Sequence, residues 1–270
     1  MKRIAIHSVP RSGSSWVGQI FNSSPNVIFR FQPLFSYAFK DFLSPHSTKD
    51  DIELFFNNII ESEDDFLTQK ESVENGIYPK FSKDSNITHI VYKEVRYHHI
   101  LENMLEVDPD ITVIGLIRNP YAVINSFLNA PREFRKDLGW NELEEWRYAE
   151  KKNLGRPEEF NGYEKWKEVA LLFRKLKKHY PNRFYLLKYD DLLSNTMEEV
   201  EKLFGFCKIM MSDQTRLFLK DSSQNDKPDP YSVYKIKRAD DAWKKSLHPQ
   251  IVDEITHDLK ISDLEEYLYK

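Results

Sequence analysis

The sequence predicts an α/β fold, a central parallel β-sheet flanked by helices on both faces. Three observations carry that expectation. Short apolar runs alternate with helical patterns along most of the 270 residues, as strands joined by crossover helices require. Ile111–Ile117 is an almost unbroken apolar run, the composition of a central parallel strand covered on both sides. The chain opens on Ile4-Ala5-Ile6, a small-residue loop and an amphipathic pattern, which is a strand–loop–helix unit.

The elements follow in order. After the first strand, Gly13 allows a tight turn, and Ser14 and Ser15 suit the opening of a helix that runs to about Ser23. A second strand is expected over Val27–Phe31, ending at Gln32-Pro33. Helical patterns follow at 35–43 and 51–62, the latter with Ile52, Phe55, Ile59 and Ile60 on one face. Residues 63–85 are polar and read as an irregular surface excursion. Strand three is expected over 87–96 and strand four over 111–117, the latter ending at Arg118-Asn119-Pro120 before a helix to about Asn129. Tyr163, Trp166, Ala170, Phe173, Leu176 and Tyr180 form a helical core stripe, Phe184 to Leu187 a fifth strand, and the remainder reads as largely helical.

Composition narrows the function. An apolar fraction of 40%, with 18 Phe and 14 Tyr, supports a sizeable core. No linker, repeat or low-complexity tract interrupts the chain, so one domain over residues 1–270 is expected. A net charge of -4 argues against nucleic-acid binding, which needs a surplus of basic surface. The lone Cys207 excludes intrachain disulfides and a thiolate metal site, and suits a reducing, cytoplasmic setting. No apolar run is long enough to span a membrane, and Met1-Lys2-Arg3 leads straight into strand one without a signal segment.

The chemistry concentrates at strand ends. Pro10-Arg11-Ser12-Gly13-Ser14-Ser15-Trp16 joins a strand to a helix N-terminus, where unpaired N–H groups and the positive end of the helix dipole favour an oxyanion. Arg11 adds a fixed charge there. The loop departs from a nucleoside-triphosphate P-loop because no Lys stands at the position that contacts the β/γ-phosphates, which disfavours a kinase. At the end of strand four, Arg118 and a hydroxyl about two turns along the next helix, Ser126, can hold a second phosphate. Lys93-Glu94-Val95-Arg96 ends strand three, and Tyr189-Asp190-Asp191-Leu192 follows strand five. Two anion sites on one sheet edge suit a nucleotide bearing phosphates at its 5′ and 3′ positions. Asp190 and Asp191 read as turn and capping residues, His7 and Cys207 as core, and His98 and His99 as surface residues at a helix start.

These motifs resemble those of sulfotransferases that use 3′-phosphoadenosine 5′-phosphosulfate (PAPS). PRSGSSWVGQIFNSSPNV is similar to the loop of the carbohydrate 6-O-sulfotransferases, and VIGLIRNPYAVINS resembles the family's 3′-phosphate motif. Lys93-Glu94-Val95-Arg96 is similar to a Lys-x-Val-Arg element, Tyr189–Leu192 to a Tyr-Glu-Asp-Leu turn, and 231–243 to a basic segment ending in Trp. The resemblance implies a P-loop-type sheet and in-line sulfuryl transfer from PAPS to a hydroxyl of a saccharide or glycoconjugate, leaving the bisphosphate PAP and needing no metal. It implies nucleotide contacts from Arg11, Ser12, Gly13, Ser14, Ser15, Trp16, Arg118, Ser126, Lys235, Lys237 and Arg238. Arg11 would stabilise the leaving oxygen, with Lys93 a further catalytic candidate; residues 131–162 are a candidate acceptor-recognition insert, in which Trp140 and Trp146 also read as packing residues. One position departs from the pattern. The carbohydrate enzymes have a Glu general base before the Pro that follows strand two, whereas this chain has Gln32, and an amide takes no proton at neutral pH. Glu94 and then His98 are the expected substitutes, with Gln32 orienting the acceptor. The alternatives are a catalytically inactive PAP-binding protein of the same fold and, more remotely, a P-loop kinase.

Overall fold

The computed structural model describes residues 1–225, 233–234 and 240–268. Five strands form the sheet: β1 (Lys2–His7), β2 (Val27–Phe31), β3 (His89–Glu94), β4 (Ile111–Ile117) and β5 (Phe184–Lys188). Every pairing is parallel and the order is β2-β3-β1-β4-β5. After β1 the chain moves out to one edge and returns; from β3 it crosses to the other side. The reversal of winding lies beside β1, so the crevice at the carboxyl ends of β3, β1 and β4 is the natural ligand position.

Both sheet faces are covered. On one face Ile4, Ile6, Val91 and Ile114 pack with Val17, Ile20 and Phe21 of helix α1 (Ser14–Asn22) and with Leu203 and Phe204. On the other, Ala5, Ile90, Tyr92 and Val113 pack with Phe55 of helix α2 (Lys49–Glu61), Leu101 and Phe173. Strand alternation therefore sends the adjacent side chains Lys93 and Glu94 to opposite faces.

Three local expectations are corrected. The expected helix over 35–43 is a single 3-10 turn, Pro33–Phe35, followed by irregular backbone. Gln32 enters it with φ 43, and the Ser36 hydroxyl donates to the Pro33 carbonyl and accepts from the Phe39 N–H, which ends the turn. The polar 63–85 stretch contains helices Asp65–Thr68 and Lys70–Glu74, the first capped by Asp64 accepting from the Leu67 N–H at 3.1 Å, with Leu67 fully buried. Strand three starts later and ends earlier than expected, because the Thr88 N–H is taken by the Asn26 carbonyl and the chain turns after Glu94.

Candidate active site

The β1–α1 loop builds an oxyanion cradle from backbone. Arg11 (φ 68) and Gly13 (φ 89) both lie in the left-handed region, so successive N–H groups turn toward one concavity. Trp16 and Val17 donate to the Gly13 carbonyl and close the first helical turn. Among the described residues, the N–H groups of Ser12, Gly13, Ser14 and Ser15 have no acceptor. The Ser12 hydroxyl is fully covered and also lacks a partner. A buried orphan hydroxyl above unpaired N–H groups fits a bound phosphate oxygen. Gly13 has a second constraint: a Cβ there would lie 2.5 Å from Cε2 of Tyr189. Tyr189, after β5, thus backs the loop; its ring also lies edge-on to Trp16 at 6.3 Å and under Arg118 at 4.8 Å. Trp16 is fixed by its Nε1 donating to Ser222 Oγ at 3.0 Å.

The second cationic pocket adjoins the first. Arg118 ends β4, and Asn119 caps the Pro120–Leu128 helix by accepting from the Tyr121 N–H at 2.9 Å. Arg118 Nη1 donates to the Arg11 carbonyl at 2.7 Å, and Arg11 Nε donates to Ser126 Oγ at 3.0 Å. The structure thereby brings Arg11, Arg118 and Ser126 into one network. Arg118 also pairs through Nε and Nη2 with Asp240. Burial alone would lower the Arg118 pKa, but the bonds and charge of Asp240 more than reverse this and raise it.

Lys93 enters from the other side of the loop. It is 2% exposed, its Nζ donates to Ser14 Oγ at 3.5 Å, and it lies 4.1 Å over the Phe31 ring. Burial pulls its ammonium down to about 7, opposed by the charge of Glu94; Glu133 acts on it in the same direction as Glu94. Burial likewise pushes the Glu94 carboxyl up, opposed by Lys93 and Arg96.

Burial corrects the placement of one expected substitute base, His98, while Glu94 stands at the end of β3 as expected. Glu94, on the face opposite Lys93, is fully covered and accepts from the Leu34 N–H at 3.1 Å. His98 is fully buried rather than at the surface: its Nδ1 meets His7 Nδ1 at 3.0 Å, and its ring packs on Phe160 and Phe173. Desolvation drives the His7 pKa to about 3, helped by the charge of His99, so the pair is neutral. His7 Nε2 bonds Tyr92 Oη at 3.3 Å.

Gln32 sits at the rim, held from behind. Arg96 Nη1 donates to Gln32 Oε1 at 3.2 Å while Arg96 Nε pairs with Glu159 at 2.9 Å and the guanidinium stacks on Phe35 at 3.9 Å. Glu159 is in turn bonded by Asn161, and Asn161 by Asn153. A guanidinium can only donate, so the amide oxygen faces Arg96 and the Gln32 Nε2 group is directed away from it as a donor. This network joins the 131–162 segment to the crevice.

Lys235, Lys237 and Arg238 lie outside the described residues. Asp240, Glu159 and Tyr189 contact the arginines of the rim and were missed or undervalued by sequence reasoning; each reaches the site from a remote segment, and only the aromatic at the end of β5 left a local signal. Among the described residues no cluster of three or more His, Cys, Asp or Glu could hold a metal ion, and no helix is long and apolar enough to cross a membrane.

A parallel sheet with a backbone oxyanion cradle and a second arginine pocket on one rim defines a P-loop-like group-transfer architecture. Residues 3–213 match the sulfotransferase family, and the chain belongs to it. Solved structures share the fold at low identity. The sulfotransferase domain of the Synechococcus PCC 7002 olefin synthase is 16% identical, with TM-score 0.58 over 99% of this chain and 94% of that one. Mouse sulfotransferase SULT7A1 complexed with PAP is 13% identical, with TM-score 0.54 over 98% and 88%. Retinol dehydratase in complex with retinol and PAP is 15% identical, with TM-score 0.53 over 97% and 82%. No curated protein is significantly similar in sequence.

Proposed function

We propose that this chain transfers the sulfuryl group of PAPS to a hydroxyl of a saccharide or glycoconjugate, leaving PAP. The observation that carries the reading is the joining of the loop cradle to Arg118 and Ser126 through Arg11, two anion pockets on one rim. PAPS, when bound, supplies an activated sulfuryl group on its 5′-phosphate. The 12–15 N–H groups and the Ser12, Ser14 and Ser15 hydroxyls hold that phosphate, and Trp16 borders it. Arg118 and Ser126 hold the 3′-phosphate, with Lys235, Lys237 and Arg238 as further nucleotide contacts. Lys93, beside Ser14, and Arg11, anchored on Ser126, stabilise the charge that develops as the S–O bond breaks; removing one such donor typically costs about a hundred- to a thousandfold in turnover.

The Gln32 amide donates to an acceptor oxygen and takes no proton. We assign the acceptor's proton to Glu94, which the Leu34 N–H holds beside the Gln32 turn at 3.1 Å and whose carboxyl burial pushes up to about 8, with His98 the second candidate. A saccharide acceptor is supported by the loop resemblance and by the half-exposed ring of Phe35, whose N–H donates to the Gln32 carbonyl. Residues 131–162, wired to the rim through Glu159, are the proposed acceptor-recognition insert of a single 1–270 domain. The lone cysteine, reduced and buried, supports a cytoplasmic setting.

The experiment is titration with PAP and with ATP, without and with magnesium, followed by radiolabelled sulfate transfer from PAPS to an oligosaccharide panel. Magnesium-independent PAP binding, weak ATP binding and labelled product are expected. Preferential magnesium–ATP binding would overturn the reading in favour of a kinase; PAP binding without transfer to any acceptor or to water would leave an inactive nucleotide-binding protein. Glu94→Gln should lower turnover while leaving PAP affinity nearly intact, and normal turnover would remove Glu94 as base and shift the role to His98.

A further inference from the structure

Arg118 reaches the rim with its charge already matched. Its Nε donates to Asp240 Oδ2 at 2.8 Å, its Nη2 donates to Asp240 Oδ1, and Nη1 is taken by the Arg11 carbonyl. A guanidinium has five N–H donors, so this side-on fork and the carbonyl occupy three of them. Both partners are largely covered, with side-chain exposures of 17% and 11%. Asp240 arrives from 122 residues along the chain and is pinned close to its position by the helix Trp243–Ser246. Trp243 stacks on Tyr121 at 4.6 Å and 20°, and Ser246 Oγ donates to Asn125 Oδ1 at 2.9 Å. Both anchors lie on the Pro120–Leu128 helix, the helix that carries Ser126. Asp190 is close enough for the charge of Asp240, after burial, to raise its pKa. Two carboxylates thus surround the one arginine that the proposed function assigns to a phosphate dianion.

We propose that Asp240 is a built-in counter-ion that competes with the nucleotide's 3′-phosphate for Arg118 and holds down affinity for the bisphosphate. The inference rests on the reading of Arg118 as the 3′-phosphate ligand. Its chemistry is ionic exchange: the carboxylate yields the side-on fork, or shares the guanidinium with the phosphate at the cost of like-charge repulsion. Either way the net attraction at this pocket is weaker than a bare arginine would give, and the penalty falls only on ligands carrying a 3′-phosphate. PAP, which dissociates after each transfer, is the ligand whose release this favours.

The test compares PAP with AMP, which shares the adenosine and 5′-phosphate but lacks the 3′-phosphate. Affinities are measured by calorimetry in magnesium-free buffer for the wild-type chain, Asp240→Asn and Arg118→Ala. Asp240→Asn should tighten PAP binding by about tenfold and leave AMP within about twofold, since one nearby unit charge is removed from a partly covered ion cluster. Arg118→Ala should weaken PAP by at least tenfold more than AMP, which loses only the brace that Arg118 gives the Arg11 carbonyl. If wild type prefers PAP to AMP but Asp240→Asn binds PAP equally or more weakly, the competition is refuted while the donor-site reading stands. If no variant distinguishes PAP from AMP, the placement of the 3′-phosphate itself is wrong. Asp240→Ser is the second variant should the asparagine fold poorly, and it carries the same expectation.

Discussion

Gly13→Ala isolates the contribution of the loop geometry. The new Cβ would stand 2.5 Å from Tyr189 Cε2 and 2.9 Å from Cδ2, against an optimum of about 3.5 Å for carbon–carbon contact, so loop and ring must separate by about 1 Å. The backbone at φ 89 adds strain of about 1 kcal/mol for a residue with a Cβ. Moving the Ser12–Ser15 N–H groups by about 1 Å lengthens hydrogen bonds to a phosphate from about 2.9 Å to beyond bonding range. Losing two charge-assisted bonds at about 1.5 kcal/mol or more each predicts a loss of over a hundredfold in PAP affinity. Calorimetry with PAP and a thermal melt measure the two effects, with the midpoint falling by a few degrees. In a Tyr189→Ala background the stability penalty should shrink toward the strain component alone. A Gly13→Ala variant that binds PAP within about threefold of wild type, with an unchanged midpoint, would refute the cradle.

Two further outcomes follow from buried groups. His7 titrates near 3 in the fold against an ordinary 6.5, so the unfolded chain binds the extra proton and stability falls as pH drops below 6.5. The slope should approach about 1.4 kcal/mol per pH unit for each such histidine, and a His7→Leu/His98→Leu variant should flatten it in urea titrations between about pH 7.5 and 5; equal slopes would refute the neutral pair. Lys93 loses its proton near 7, and phosphate binding favours the charged form, so PAP affinity should fall by up to tenfold per pH unit above 7. Lys93→Arg, which does not titrate, should remove that slope, and its persistence would place the titrating group elsewhere.

The strands and the loop were legible because their signals are local: β2 and β4 match the expected bounds, and the Gly13 turn declares itself between strand and helix. The helix expected over 35–43 failed because the apolar spacing of Phe35, Phe39 and Leu43 is met by turns once Ser36 captures the Pro33 carbonyl. His98 was misplaced because its surroundings, Phe160 and Phe173, arrive from distant sequence. The Arg118–Asp240 and Arg96–Glu159 pairs left no trace in the sequence for the same reason: a pattern within one helix or strand says nothing about which acid on another segment will face a given arginine.

Because Arg96 divides its donors between residue 32 and Glu159, the crevice wall and the 131–162 segment are tied to each other. Transplanting a foreign segment without an acid at 159 would strand a guanidinium that is only 12% exposed, at a cost of about 3 kcal/mol, and let the amide at 32 swing. On the proposed reading of 131–162 as the acceptor-recognition insert, outward side chains such as Leu138 and Tyr148 can be changed while that wiring is left untouched.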